Sequence, residues 1–292
     1  MVDGCSVSHT GKWIHDEVLA QMDHIGRFRF AAVTSDSTGN TKVARRLLCE
    51  SVPTLLNCPD PIHHINLLIK DICKLEYFQG TIHIISKTMT HFSHSNDSTE
   101  KLDTVWRERN VGRGLEKIGK TRFGTVIWTA LLLRRCLSSI RQLVGAAQIE
   151  LKVRQYFESG DCNLTHLYEL GLNQLLGVIE GAARTAQCLE AAKANPADVY
   201  LFWLAMLASI KQSLDDPKLA IPTMVKEQVH GVTNYRWREF FEDGPSQVHL
   251  AAFYLQWQSK VWLMGVNLDF VLVITWLWDN IQPKHKYGVV EA

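Results

Sequence analysis

RFRFAAVTSDSTGNTKVARRLLCESVPTLLNCPDP, residues 27–61, is the stretch that decides the fold class. Its first part alternates apolar side chains at Phe28, Phe30 and Ala32 before Val33, the period-two pattern of a strand. We read residues 27–36 as a buried strand whose carboxyl end presents Asp36, followed by an Asp-Ser-Thr-Gly turn. From Thr41, TKVARRLLCESV has helical spacing, and Leu55 to Cys58 can form a short second strand before the Pro59-Asp60-Pro61 breaker. A strand, a helix and a strand in succession predict a parallel pair joined by a crossover.

Helical patterns flank this unit. Upstream, Ile14, Val18, Leu19 and Met22 place a helix over residues 12–24 that stops at Gly26. Downstream, Ile65, Leu68, Ile69, Ile72 and Leu75 share one face of residues 63–77, and Ile82, Ile85, Met89 and Phe92 form another stripe. Both faces read as core rather than as cofactor pockets. A polar break at residues 94–100 and the glycine-rich basic run VGRGLEKIGKTRFGT (111–125) lead to a second half that reads as helices over 125–148, 164–193, 197–212 and 223–241. The fold class expected is α/β and mostly helical, with few strands followed by an all-α region.

Composition bounds the function. With 46% apolar and 21% charged residues over 292 positions, the chain can bury a substantial core and is not generally disordered. Its formal net charge of +1, from 31 basic and 30 acidic residues, excludes a molecule-wide electrostatic grip on nucleic acid. Any such contact must be a local patch. The seven cysteines have no paired C-x-x-C spacing and the N-terminus lacks a secretory apolar core, which points to a reducing nuclear or cytoplasmic compartment. Residues 261–278, VWLMGVNLDFVLVITWLW, approach the length of a membrane span, but Asn267 and Asp269 near the middle oppose insertion. A membrane is therefore not expected as a partner.

Four segments occur in a telling order: SVSHTGKWI (6–14), AAVTSDSTGN (31–40), PDPIHHINLLIKDI (59–72) and KTRFGT (120–125). Together they resemble the hAT DNA transposases, in the fungal branch of that family. FWLAMLASI (202–210) and GPSQVHLAAFYL (244–255) resemble its helical insertion less specifically. The resemblance implies an incomplete ribonuclease-H-like core over 1–115, a helical insertion-like region over 116–258 and an atypical apolar segment over 259–292.

In that family an acidic triad binds divalent metal and transfers DNA strands, because two metals can activate the attacking oxygen and stabilise the leaving one. Asp36 matches one catalytic aspartate and would be a relic metal ligand. As a residue read without the resemblance, Asp36 is an ordinary turn or cap aspartate. The resemblance puts the first acid upstream of the SHTG motif and the third in a later block, and neither position is matched here. His63 and Asn66 match the His and Asn of a Cys-x-x-His-x-x-Asn-Leu motif beside the active site, with Asp60 where the Cys belongs. Cys58, Asp60, His63 and His64 could be imagined as a zinc set, but the spacing is poor. A capped helix start with half-buried histidines is the simpler reading.

By the same resemblance Phe123 would stack on an extruded base near the DNA end, or else anchor the next helix. Arg113, Lys120 and Arg122, within a run that also holds Arg107, Arg109 and Lys117, would contact phosphates, or else form a solvated face, the reading that Glu108 and Glu116 favour by diluting the patch. No phosphate-binding P-loop, G-x-S-x-G elbow or H-E-x-x-H helix is present. The function expected is a truncated or decayed hAT-transposase-like protein without catalysis, needing no cofactor, with Mg²⁺ or Mn²⁺ serving any retained activity. The alternatives are a co-opted interaction module and a fragment of an active metal-dependent transposase. DNA and another transposase-like chain are the partners expected.

Overall fold

A computed structural model describes residues 9–108, 124–158, 163–245 and 247–264. Of these, 78% are helical and 4% lie in strands, so the protein is mostly helical with one small parallel sheet. Two compact units share the chain: one draws on Met1–Ile65, Thr185–Ala208 and Thr233–Ala292, the other on Asn66–Arg184 and Ser209–Val232.

The first unit opens with α1 (Gly11–Ile25), whose N-cap Thr10 accepts a hydrogen bond from the Trp13 amide. Gly26 ends it at φ 105°, a left-handed value that glycine adopts without a Cβ penalty. A short 3-10 turn, Arg27–Arg29, follows, tied back by an Arg27–Asp23 ion pair. The strand expected from residue 27 therefore starts later, at β1 (Ala32–Ser35), and Phe28 is left 86% exposed. Next come α2 (Gly39–Ser51) and β2 (Leu56–Pro59).

β1 and β2 pair in parallel with Ala32 opposite Leu56 and Ser35 opposite Pro59. The expected crossover is present. Pro59 closes the ladder, where its missing N–H costs little, and Asp60 continues the pairing by donating its amide to the Ser35 carbonyl at 2.9 Å. Contrary to the buried strand expected, β1 alternates exposed and half-buried residues. One side of the crossover is packed by Met22 of α1, Leu48 of α2, Val52 and Leu55, with Phe30 and Val33 against them. Gly11 allows the close approach of α1 to α2, since a Cβ there would lie 2.7 Å from the Val43 Cβ.

The rest of this unit is an aromatic cluster. Trp203 of α8 (Pro196–Asp215) is fully buried and its ring stacks on Phe240 at 5.2 Å. Phe240 lies in a π turn, Arg238–Glu242, that continues α9 (Thr223–Trp237), and His249 of α10 (Gln247–Met264) stacks on it at 5.6 Å. The single helix expected over 223–241 thus ends in a wider turn.

The second unit takes most of α3 (Pro61–Cys73), then α4 (Glu76–His94), α5 (Asn96–Glu108), α6 (Gly124–Gly145) and most of α7 (Asn163–Leu189). Ile69, Ile72, Phe78, Ile127, Leu133 and Leu172 are buried in its core. The helix expected over 63–77 divides after Cys73, whose carbonyl accepts from the Gln79 side chain. The break expected at 94–100 is instead a helix start, because the Ser95 hydroxyl accepts the Ser98 amide as an N-cap. Gln174 joins elements far apart in sequence, accepting from the Tyr77 hydroxyl at 2.9 Å and donating to the Leu219 carbonyl at 2.7 Å.

Candidate functional site

Parallel strands expose ligand-holding groups at their carboxyl ends, where the chain turns into the following helices. Here that end carries Asp36 after β1 and Asp60 after β2. Asp60 caps α3, accepting the Ile62 amide at 2.9 Å, and Pro61 takes the first helical position, where a missing N–H is harmless. The position at which the resemblance expects a cysteine is therefore occupied by a helix cap.

Asp36 is half-buried. One carboxylate oxygen, Oδ1, accepts hydrogen bonds from the Thr41 hydroxyl and, at 3.1 Å, from the Thr38 hydroxyl. The Thr41 hydroxyl holds the Asp36 carboxyl below the usual carboxylate range; burial opposes this, while the Thr38 hydroxyl and amide and the nearby His63 assist. Asp36 and His63 are thus brought within electrostatic reach. Asn66 follows His63 one turn later on α3, and both are half-buried. Arg113, Lys120, Arg122 and Phe123 lie outside the described residues, as does most of the apolar stretch 261–278.

Beneath Asp36 sits Arg45, only 2% exposed, which sequence reasoning had passed over. Its Nη1 donates to the Ser35 carbonyl and the Asp36 carbonyl, each at 2.9 Å, and to the Ser35 hydroxyl at 2.6 Å. Its Nε donates to Asn57 Oδ1 on β2 at 2.6 Å. One guanidinium therefore fastens the end of β1 to β2, while burial lowers its pKa and Asp36 and Asp60 are among the groups that counter this. The signal was available: Thr41, Ala44, Arg45 and Leu48 share one face of α2, and that face is buried.

His64, 3% exposed, completes the neighbourhood. Its Nε2 is 2.9 Å from the Ser37 hydroxyl, and its Nδ1 faces Glu239 Oε2 at 3.7 Å, beyond hydrogen-bond range. Nδ1 has no other partner. Burial pushes the imidazole down to about 4, against the pull of Glu239. Glu239 in turn pairs with Arg236, and the His64 ring packs on Phe240 at 4.9 Å.

Three members of the imagined zinc set hold other roles. Asp60 caps a helix, the Cys58 thiol is raised by burial and so stays protonated, and His64 is committed to Ser37. Among the described residues no group of three His, Cys, Asp or Glu side chains could hold a metal ion. No described helix is long and apolar enough to cross a membrane. The five described cysteines, Cys49, Cys58, Cys73, Cys136 and Cys188, are all free. No protein-family model matches the chain, and neither a curated protein nor a solved structure matches it.

Proposed function

We propose that the chain is a hAT-transposase-like protein, built on part of a ribonuclease-H-like core, that does not cut or join DNA. The single observation that carries the catalytic half of this reading is the placement of Arg45. Its buried guanidinium donates to the Asp36 backbone and lies within electrostatic reach of both Asp36 and Asp60. A divalent metal needs several hard oxygen ligands converging on one spot, and a fixed positive charge beside them opposes it. One oxygen of the Asp36 carboxylate is committed to Thr38 and Thr41 instead, holding the turn between β1 and α2.

Support for the relationship comes from the four ordered motifs, from the strand-helix-strand unit and from Asp36 at the end of its first strand. Arg113, Lys120, Arg122 and Phe123 would supply the DNA contact. The test is a strand-cleavage assay on end-labelled duplex and single-stranded DNA with Mn²⁺ or Mg²⁺. The reading expects no cleavage above a metal-only control, whereas cleavage abolished in Asp36→Ala would reverse it.

A second reading, a co-opted module that binds another transposase-like chain, is favoured by the exposure of Leu250, Tyr254 and Leu255 on α10. It expects self-association in sedimentation velocity that is weakened by Leu250→Glu with Leu255→Glu.

A further inference from the structure

We propose that Ser37, His64 and Glu239 form a nucleophile relay in which Ser37 accepts acyl groups from small carboxylic esters. This goes beyond the transposase-like reading and needs neither a metal nor Asp36. The connectivity is atom-specific: the serine hydroxyl meets Nε2 at 2.9 Å and the carboxylate lies on the Nδ1 side at 3.7 Å. A carboxylate can only accept, so Glu239 favours the tautomer with its proton on Nδ1 and leaves the Nε2 lone pair for the Ser37 O–H. Nδ1 is a buried polar atom with no hydrogen bond, so a contraction of under about 1 Å toward Glu239 would satisfy it; relays of this kind are often long at rest and tighten on binding.

The surroundings suit the chemistry. Ser37 is half-buried on a strand-to-helix turn, two residues before Gly39, while the imidazole behind it is shielded by Phe240. The first amides of α2 have no partner within the helix, and Thr38 does not cap them with its side chain. A Cβ on Gly39 would meet nothing within 4 Å, which leaves room for an acyl group beside the turn. The low pKa of His64 keeps it neutral at pH 7 with its Nε2 lone pair free, and makes it a weak base. In the step, Ser37 Oγ bonds to the ester carbonyl carbon as its proton passes to His64 Nε2. The alkoxy leaving group then departs with that proton, and water releases the acyl group by the same path reversed. The Asp36 charge on the same turn disfavours an oxyanion, so the acylation expected is slow.

A covalent probe reads such a site directly. A fluorophosphonate forms an Oγ–P bond and expels fluoride, with the hydroxyl proton taken by His64. On the purified full chain we expect a single adduct, mapped to Ser37 by peptide mass and absent in Ser37→Ala. Labelling should slow by about 100-fold or more in His64→Gln, the lower range for loss of a positioned base. Glu239→Gln should slow it and move the midpoint of its pH profile downward, because Glu239 raises the imidazole pKa. No adduct on Ser37 in protein with an unchanged melting curve overturns the proposal, as does an unaltered rate in folded His64→Gln. Should His64→Gln not fold, a Glu239→Gln profile identical to the parent's overturns the relay in its place.

Discussion

Thr41 and His64 set the pH response at the scale of single residues. Removing the Thr41 hydroxyl takes a hydrogen bond from a carboxylate, an interaction worth about 1.5 kcal/mol at the lower end of the charged range. Thr41→Val should lose about that much in urea unfolding at pH 7. Asp36 has a lowered folded pKa, so its contribution is present above the ordinary 3.8 and is lost as pH falls through the folded value. The deficit of Thr41→Val should accordingly shrink toward pH 3. For His64 the unfolded chain binds the proton more tightly, 6.5 against about 4 in the fold. Stability is then complete above pH 6.5 and falls between 6.5 and 4, by about 3 kcal/mol in all. Glu239 resists this fall, whereas His63, Arg236 and Arg45 add to it. Unfolding midpoints across that window should drop in the parent and flatten in His64→Gln. The sequence reads as placing both His63 and His64 half-buried at a capped helix start, whereas His64 is 3% exposed; Glu239 is 175 positions away, and periodicity carries no information about such a meeting.

Among the elements, the strand-helix-strand unit was the most legible, because the change of period from two to 3.6 and the Pro59-Asp60-Pro61 breaker are local signals. Strand length was not legible. Alternation ran back to Phe28, while Gly26 at φ 105° and the Arg27–Asp23 pair turned those residues into a 3-10 turn. Polar composition also misled at residues 94–100, where Ser95 caps a helix instead of opening a loop. Arg45 joins the end of β1 to β2 through four acceptors; without it the Ser35 carbonyl keeps the Asp60 amide and the Asp36 carbonyl keeps the Thr41 hydroxyl, while Asn57 Oδ1 loses its guanidinium donor. Arg45→Ala should cost about 1–3 kcal/mol, the range for a buried group left without its hydrogen-bond partner. Arg45→Lys should recover only part of that, because an ammonium lacks the planar fork that reaches both strands. Denaturant midpoints of the two variants, compared with the parent, check the order.

For the whole molecule, stability in the first unit rests on the aromatic cluster as much as on its sheet of two strands. Trp203→Ala removes a fully buried ring from Phe240 and should cost about 3–5 kcal/mol, read as a fall in the unfolding midpoint with the His64–Ser37 pair disturbed next to it. Sequence foresaw the helical bulk of the chain and the apolar faces that fill it, but not how residues 185–208 and 233–264 join the first sixty-five, because that grouping depends on contacts between distant segments. The central claim, that Asp36 holds a turn and does not hold a metal, rests on its hydroxyl partners and on the cation beneath it. Calorimetric titration of Mn²⁺ into the parent protein and Asp36→Ala tests it most directly. The account predicts no saturable heat that depends on Asp36; saturable binding present in the parent and lost in a folded Asp36→Ala variant would contradict it.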